Sequence, residues 1–265
     1  MKPENVQFLC SPHTGERLEL IVEQGAGGRP VELLVGQKTR AKFPVREGIP
    51  LFLDKSQMPG NNRKQQKFYN LVAPFYDFLH RMQTARQGGE HLMRMEYIKE
   101  LGIGDKDKVL EVSIGTGANL LYLPRTAQCF GIDISWEMLR RCKKSMQRKG
   151  IDVELAMAAA EKLPFVDNVF DVVFNVLGLR LFNDKGGAIR EMLRVAKPGA
   201  RITIVDQAKT GAPLHLLPRE IVGPEYKEIY YGHLYCLSFK KAEKNNTGVD
   251  QPLSEPTVTL KRPFA

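Results

Sequence analysis

The residues best placed to do chemistry lie in Val109-Leu110-Glu111-Val112-Ser113-Ile114-Gly115-Thr116-Gly117-Ala118-Asn119-Leu120. An apolar strand, a tight glycine turn and a helix start follow one another, which lets a ligand approach the backbone at the carboxyl end of a sheet. Gly-x-Gly alone is a weak signal. A dinucleotide site needs a third small residue for helix–strand packing, and Leu120 stands there instead. Glu111 would repel a pyrophosphate, whereas it suits a ligand that carries an ammonium and a sulfonium. Eighteen residues after Gly115, Asp133 ends the stretch Gly131-Ile132-Asp133 at the point where a ribose diol needs a two-oxygen acceptor. Asp133 also suits a cap for a helix beginning near Ser135, and the spacing from Gly115 favours ribose.

These residues need a frame. Strands are predicted at 108–113, 128–133, 152–157, 170–175 and 200–206, alternating with helices at 88–101, 117–124, 135–149 and 184–196. Such alternation predicts an α/β fold, a Rossmann-like parallel sheet covered on both faces, with an antiparallel edge hairpin around Gly232. Between Gln207 and Pro224, the residues Gly211, Pro213, Pro218, Gly223 and Pro224 predict a shortened or missing helix. An acceptor pocket there would be open, or completed by the N-terminal module, residues 66–90 or the second subunit of a homodimer.

Ahead of this frame, short strands at 7–10, 18–22 and 31–35 predict a small β-rich module over residues 1–55. Pro59-Gly60-Asn61 marks a polar linker within 55–65. Aromatic residues from Tyr69 to His80, interrupted by Pro74, predict two short helices acting as a ligand-ordered lid, so that 56–90 is linker and lid. The main domain is then 91–242, and 243–265 is a loose polar tail.

Composition sets bounds on partners. No apolar run approaches the ~20 residues of a membrane span, and the polar N-terminus has no signal core, which predicts a cytoplasmic chain. Cys10, Cys129, Cys142 and Cys236 are scattered, predicting reduced thiols and no metal site. The net charge of +9 suits an RNA, an acidic substrate or an anionic surface. Much of it falls on Arg140, Arg141, Lys143, Lys144, Arg148 and Lys149, which read first as a solvated helix face.

Four motifs in order carry a family resemblance: Tyr69-x-x-x-Ala73-x-x-Tyr76-Asp77; Val109–Gly117; Ala160-Glu161-Lys162-Leu163-Pro164-Phe165 with Phe170-Asp171-Val172-Val173; and Glu191-Met192-Leu193-Arg194-Val195-Ala196-Lys197-Pro198-Gly199. Over roughly residues 66–206 the chain resembles class I S-adenosylmethionine-dependent methyltransferases, especially the ubiquinone/menaquinone C-methyltransferase branch. The resemblance implies a cofactor site of Tyr76, Glu111, Ser113, Gly115, Thr116, Gly117, Asp133, Ile134, Met138, Ala159, Ala160 and Asn175. Tyr76 would close over the methionine moiety, Asp133 would hold the ribose, Ile134 and Met138 would line the adenine, and Ala159-Ala160 would face its amino edge. Asn175 would sit beside the reactive methyl. Ala159 replaces the usual Asp, Ile114 the usual cysteine, and Arg180 a frequent histidine. Arginine is no base at neutral pH but can hold an anionic acceptor. Candidates for a base are Tyr69, His80, His215 and His233.

A second resemblance covers the start of the chain. Cys10-Ser11-Pro12-His13-Thr14-Gly15 and Phe43-Pro44-Val45-Arg46-Glu47-Gly48-Ile49-Pro50 are similar to short zinc-ribbon domains, including the activator subunit of tRNA and protein methyltransferases. Cys10 and His13 make only half a site, so a metal-free module is expected. Together these readings imply methyl transfer to a small, aromatic or quinone-like acceptor. The alternatives are an RNA or protein acceptor, or a cofactor-binding subunit without activity.

Overall fold

The computed structural model describes residues 1–53, 60–76, 82, 84–85, 88–243 and 257–259. Its larger sheet contains β5 (Lys108–Val112), β6 (Gln128–Asp133), β7 (Val153–Met157), β8 (Phe170–Val176), β9 (Ala196–Gln207), β10 (Ile221–Ile229), β11 (Leu234–Lys241) and β12 (Thr257–Thr259). The strand order is β12-β10-β11-β9-β8-β5-β6-β7. Strands β5 to β9 run parallel, and β11 is antiparallel to both β9 and β10. The chain leaves β5 toward β6 on one side and returns as β8 on the other. A crevice therefore opens at the carboxyl ends of β5 and β8, where open α/β sheets bind ligands.

Alternation along the strands sends side chains to two faces. Val109, Cys129 and Leu155 pack with Leu139, Cys142 and Met146 of α3 (Trp136–Arg148). That helix is amphipathic, and it starts where Ser135 Oγ accepts the Met138 N–H at 3.2 Å. On the other face Leu110, Phe130 and Val173 meet Ile189, Met192 and Val195 of α4 (Lys185–Val195).

No helix forms between β7 and β8. The N-terminal region covers this gap with Val6, Leu9, Leu34, Phe43 and Phe52, which share one core with Phe130, Phe165 and Phe170. Phe165 and Phe170 meet edge to face at 4.9 Å. Backbone bonds join the two parts: Cys10 N to Pro164 O at 3.1 Å, Val166 N to Phe8 O at 2.9 Å and Phe52 N to Met157 O at 2.9 Å.

The N-terminal region is a four-stranded antiparallel sheet of β1 (Leu18–Gln24), β2 (Pro30–Gly36), β3 (Lys42–Arg46) and β4 (Ile49–Pro50). Its turns are tied by a carboxylate. Glu16 accepts from Thr14 Oγ1 at 3.0 Å, Lys38 N at 2.6 Å and Thr39 N at 3.0 Å, and also from Thr39 Oγ1. These bonds stabilise the carboxylate and hold its pKa down to about 2. The Cys10 thiol is buried and pushed up to about 11 by that burial, which disfavours the thiolate that a metal requires.

Several elements differ from the sequence expectations. Residues 3–8 form a 3-10 helix rather than the first strand at 7–10, because Pro3 starts it and only Leu9 and Cys10 make isolated bridges. The helix expected at 117–124 is a 3-10 turn, Ala118–Tyr122, cut short by Leu123-Pro124. The stretch read as linker becomes helical from Gly60, in α1 (Gly60–Val72), and α2 (Gly89–Ile98) follows. After β9 there are only two short 3-10 turns, Ala208–Thr210 and Leu214–Leu216, in line with the glycine and proline content there. Asp77 and His80 lie outside the described residues. Among the described residues no helix is long and apolar enough to cross a membrane.

The shared core predicts one cooperative unit. Trp136, the only tryptophan, lies 4.5 Å beneath the Arg46 guanidinium and so reports the junction of the two parts. Thermal unfolding followed by Trp136 fluorescence and by far-UV circular dichroism is expected to coincide. Phe165→Ala should cost about 3–5 kcal/mol. A fluorescence change well before the dichroism transition would contradict a shared core.

Candidate functional site

The crevice at β5 and β8 is a cavity whose floor and walls come from the carboxyl ends of the strands. Ser113 and Gly115 follow β5, Ile132 to Ile134 end β6, and Ala158 and Ala160 follow β7. Val176, Leu177 and Gly178 close the side at β8, and Met138 reaches in from α3. Two of these residues adopt left-handed backbone without being glycine, Ser113 at φ 64° and Leu177 at φ 58°. Such conformations cost on the order of 1–3 kcal/mol each and concentrate at ligand clamps.

The surrounding structure holds both in place. Leu177 N donates to Val205 O at 2.7 Å, and Arg180 Nη1 donates to Leu177 O at 2.7 Å. Arg180 is itself fixed by Asp206, with Nη1 2.9 Å from Oδ1 and the backbone N 3.0 Å from Oδ2. Ile114 packs so closely on β6 that a Cβ on Gly131 would fall 2.3 Å from its Cδ1. That contact explains the glycine two residues before Asp133.

Asp133 organises the cavity. Its Oδ2 accepts the Gly115 N–H at 2.9 Å and its Oδ1 accepts the Ser135 N–H at 2.8 Å, so one carboxylate joins the glycine loop to the start of α3. Burial pushes its pKa up to about 6 against the pull of these bonds.

Helix α1 forms the remaining wall. Asn62, Gln65 and Tyr69 line the cavity, Gln66 Nε2 donates to Ile134 O at 2.8 Å, and Asn70 Oδ1 accepts from Ser135 Oγ at 2.6 Å. Sequence reasoning missed Asn62, Gln65, Gln66 and Asn70, because a polar helix shows no apolar periodicity; the Gln and Asn at helical spacing were the available signal. Glu161, Leu181 and Phe182 also line the cavity and were not anticipated.

Of the residues expected from sequence, Tyr76, Ser113, Gly115, Asp133, Ile134, Met138 and Ala160 line this cavity. Five do not. Asn175 is fully buried, with Nδ2 donating to Val112 O at 2.7 Å and Oδ1 accepting the Leu179 N–H at 2.9 Å, so its amide is spent on backbone. Ala159 turns away while Ala158 and Ala160 face inward. Gly117 packs on α3, where a Cβ would fall 2.5 Å from Cys142 Sγ. Thr116 faces a separate groove beside α3.

Glu111 lies behind the loop. Its Oε1 accepts from Asn119 Nδ2 at 2.5 Å, and Asn119 Oδ1 accepts from Tyr97 Oη at 2.6 Å and from Arg94. Oε2 is buried without a hydrogen-bond partner. Burial pushes the Glu111 pKa up to about 8.

A second cleft of 460 Å³ adjoins the first through Tyr69, Tyr76 and Leu177, which line both. Phe68, Met93, Tyr230 and Leu234 give it an apolar and aromatic wall, with Arg180, Gln207, Lys209 and His233 as polar groups. Burial raises the pKa of Tyr69, and pushes Tyr76 up to about 12, so both are neutral phenols at physiological pH. His215 is exposed and lines neither space.

The raised pKa of Glu111 carries a sign. An acid with a folded pKa above its unfolded value binds an extra proton in the folded state, so stability falls as pH rises from the unfolded pKa to the folded one. Between pH 7 and 9 this group is expected to remove about 1.4 kcal/mol from the wild-type chain. Glu111→Gln should lose that slope. Parallel denaturant midpoints for the two proteins across this range would show that Glu111 ionises normally.

Comparison with known proteins places this geometry. A methyltransferase-domain family model matches residues 110–204. The chain is 36% identical over 151 residues to the ubiquinone/menaquinone biosynthesis C-methyltransferase UbiE of Cupriavidus taiwanensis, covering 55% of this chain and 61% of the relative. The UbiE of Ectopseudomonas mendocina is 36% identical over 160 residues, covering 57% and 60%. The chain thus spans about three fifths of the length of these curated relatives. Among solved structures, the [4+2]-cyclase SpnF aligns with a TM-score of 0.58 at 18% identity, covering 69% of this chain and 97% of that one, a likeness of fold. With the strand order, the glycine loop and Asp133 already in place, these matches show that residues 110–204 are similar to a methyltransferase domain and that the α/β part shares its fold with SpnF.

Proposed function

We propose that the chain is an S-adenosylmethionine-dependent methyltransferase acting on a small, aromatic or quinone-like acceptor. The observation that carries this reading is the junction of two spaces at Tyr69, Tyr76 and Leu177, since a two-substrate transfer needs two ligands to meet at one point. The quinone-like acceptor follows from the names of the UbiE relatives and from the aromatic wall of the second cleft. The fold by itself does not choose the reaction, because the structural neighbour SpnF is named a cyclase.

The residues present fit the cofactor. In this reading Asp133 accepts from the ribose hydroxyls, Ile134, Met138 and Ala160 enclose the adenine, and Ser113 and Gly115 face the methionine moiety. Glu111 lies behind that loop with its Oε2 unpartnered, and a cationic ligand in front of the loop would favour its ionised form. Thr116, Gly117, Ala159 and Asn175 shape the loops without touching the ligand. The bound cofactor supplies an electrophilic methyl group on a sulfonium. The chain's part is to align the acceptor in the second cleft and exclude water, with Tyr69 and Tyr76 as the shared wall. Neutral Tyr69 serves as a hydrogen-bond donor to an acceptor oxygen rather than as a base.

Calorimetry with S-adenosylhomocysteine tests the cofactor assignment. Asp133→Asn should weaken binding by about 1–3 kcal/mol through loss of a charge-assisted acceptor. Wild-type affinity should be flat near neutrality and fall as pH drops through about 6, where Asp133 takes a proton, and the variant should lack that fall. Transfer of labelled methyl from S-adenosylmethionine to a naphthohydroquinone tests the acceptor class. Tight cofactor binding without transfer to any hydroquinone would overturn the acceptor; absence of binding would overturn the whole reading.

A further inference from the structure

A groove of 340 Å³ runs along the outer flank of α3, separated from the cofactor cavity by the glycine loop. It is lined by Thr116 from that loop and by Arg140, Arg141, Lys144, Ser145 and Arg148 from the helix. Arg141, Lys144, Ser145 and Arg148 follow the i, i+3, i+4, i+7 spacing of a single helical stripe, about 10 Å long at 1.5 Å per residue. Every lining side chain carries a hydrogen-bond donor, four are cationic, and no carboxylate lines the groove.

The charge is not explained by the fold. Arg140 pairs with Glu137 at 2.8 Å, but among the described residues Arg141, Lys144 and Arg148 have no carboxylate partner. Arg141 Nε is buried with no hydrogen-bond partner, and a buried guanidinium nitrogen left in that state is costly. The helix dipole accounts for Arg148 in the last turn but not for Arg141 two turns earlier. The opposite flank of α3 is taken by the N-terminal sheet, where Arg46 covers Trp136 and Lys143 Nζ donates to Glu47 O. The chain after the glycine loop makes a 3-10 turn, Ala118–Tyr122, and none of its residues lines the groove.

We propose that this groove binds a diphosphate group. Two planar guanidinium forks and an ammonium spread over about 10 Å match more oxyanion charge than a single phosphate carries. The groove offers no aromatic platform for a base, which sets it apart from a single-stranded nucleic-acid channel. The site is independent of the methyltransferase reading, since none of the four cationic residues lines the cofactor cavity.

Titration of the full chain with inorganic pyrophosphate in calorimetry, at constant ionic strength, tests the proposal. Saturable one-to-one binding is expected. Arg148→Gln, on an exposed side chain, should weaken it at least about tenfold through loss of a charge-assisted contact. Arg141→Gln should do the same, with circular dichroism as the check on folding. Arg29→Gln, which removes the same charge from the exposed β1–β2 turn, should leave the affinity unchanged. Equal weakening by Arg29→Gln and Arg148→Gln would reduce the effect to net charge and overturn the site. Absence of saturation at millimolar pyrophosphate would also overturn it, as would tight binding of a single-stranded RNA that pyrophosphate does not displace.

Discussion

Asp133 carries the connection on which the rest of the site depends. A carboxylate closed off from water has to have its oxygens satisfied, and here the N–H groups of Gly115 and Ser135 do so from opposite sides of the crevice. The same two bonds fix the loop after β5 against the first turn of α3. Those loops would otherwise be free at their ends, as loops at the carboxyl edge of a sheet usually are. Because each oxygen retains a further lone-pair direction, the group that builds the crevice is also suited to meet a ligand in it.

Strain is stored around this connection. Ser113 and Leu177 occupy left-handed backbone on either side of the cavity, and each is over-determined by its neighbours: Ile114 wedged on Gly131 for the first, the Arg180–Asp206 pair for the second. Arg180 was expected to be a counter-charge for an anionic acceptor. Its nearest duty is to hold the Leu177 carbonyl, with buried Asp206 balancing its charge. The N-terminal sheet is equally bound up with the site. It covers the face that no helix covers between β7 and β8, and its edge holds Trp136 at the start of the helix that Asp133 caps through Ser135.

Much of this could be read from residues alone, and the misses have physical causes. The five parallel strands were legible because buried parallel strands are apolar throughout, and Asp133 was legible from its distance to Gly115. Helix α1 was not, since Gly60-Asn61-Asn62-Arg63-Lys64-Gln65-Gln66 buries polar groups through hydrogen bonds that leave no hydrophobic pattern. Asn175 and Glu111 sit at the strand positions that the sequence indicated, yet the backbone claims the amide of the first and Asn119 one oxygen of the second. Position along a strand was readable; which groups would compete for each polar atom was not. The 3-10 turn after Gly117 shows the same limit, since Leu123-Pro124 ended it sooner than the apolar spacing implied.

The central claim is that Asp133 and the loops it joins form a cofactor site that opens onto an acceptor cleft at Tyr69 and Tyr76. A crystal structure of the full chain with S-adenosylhomocysteine measures this most directly. The account predicts both ribose hydroxyls within hydrogen-bonding distance of the Asp133 carboxylate, and the cofactor sulfur directed at the shared wall of Tyr69, Tyr76 and Leu177. Ligand bound elsewhere, or bound in the crevice with its sulfur directed away from that wall, would contradict it.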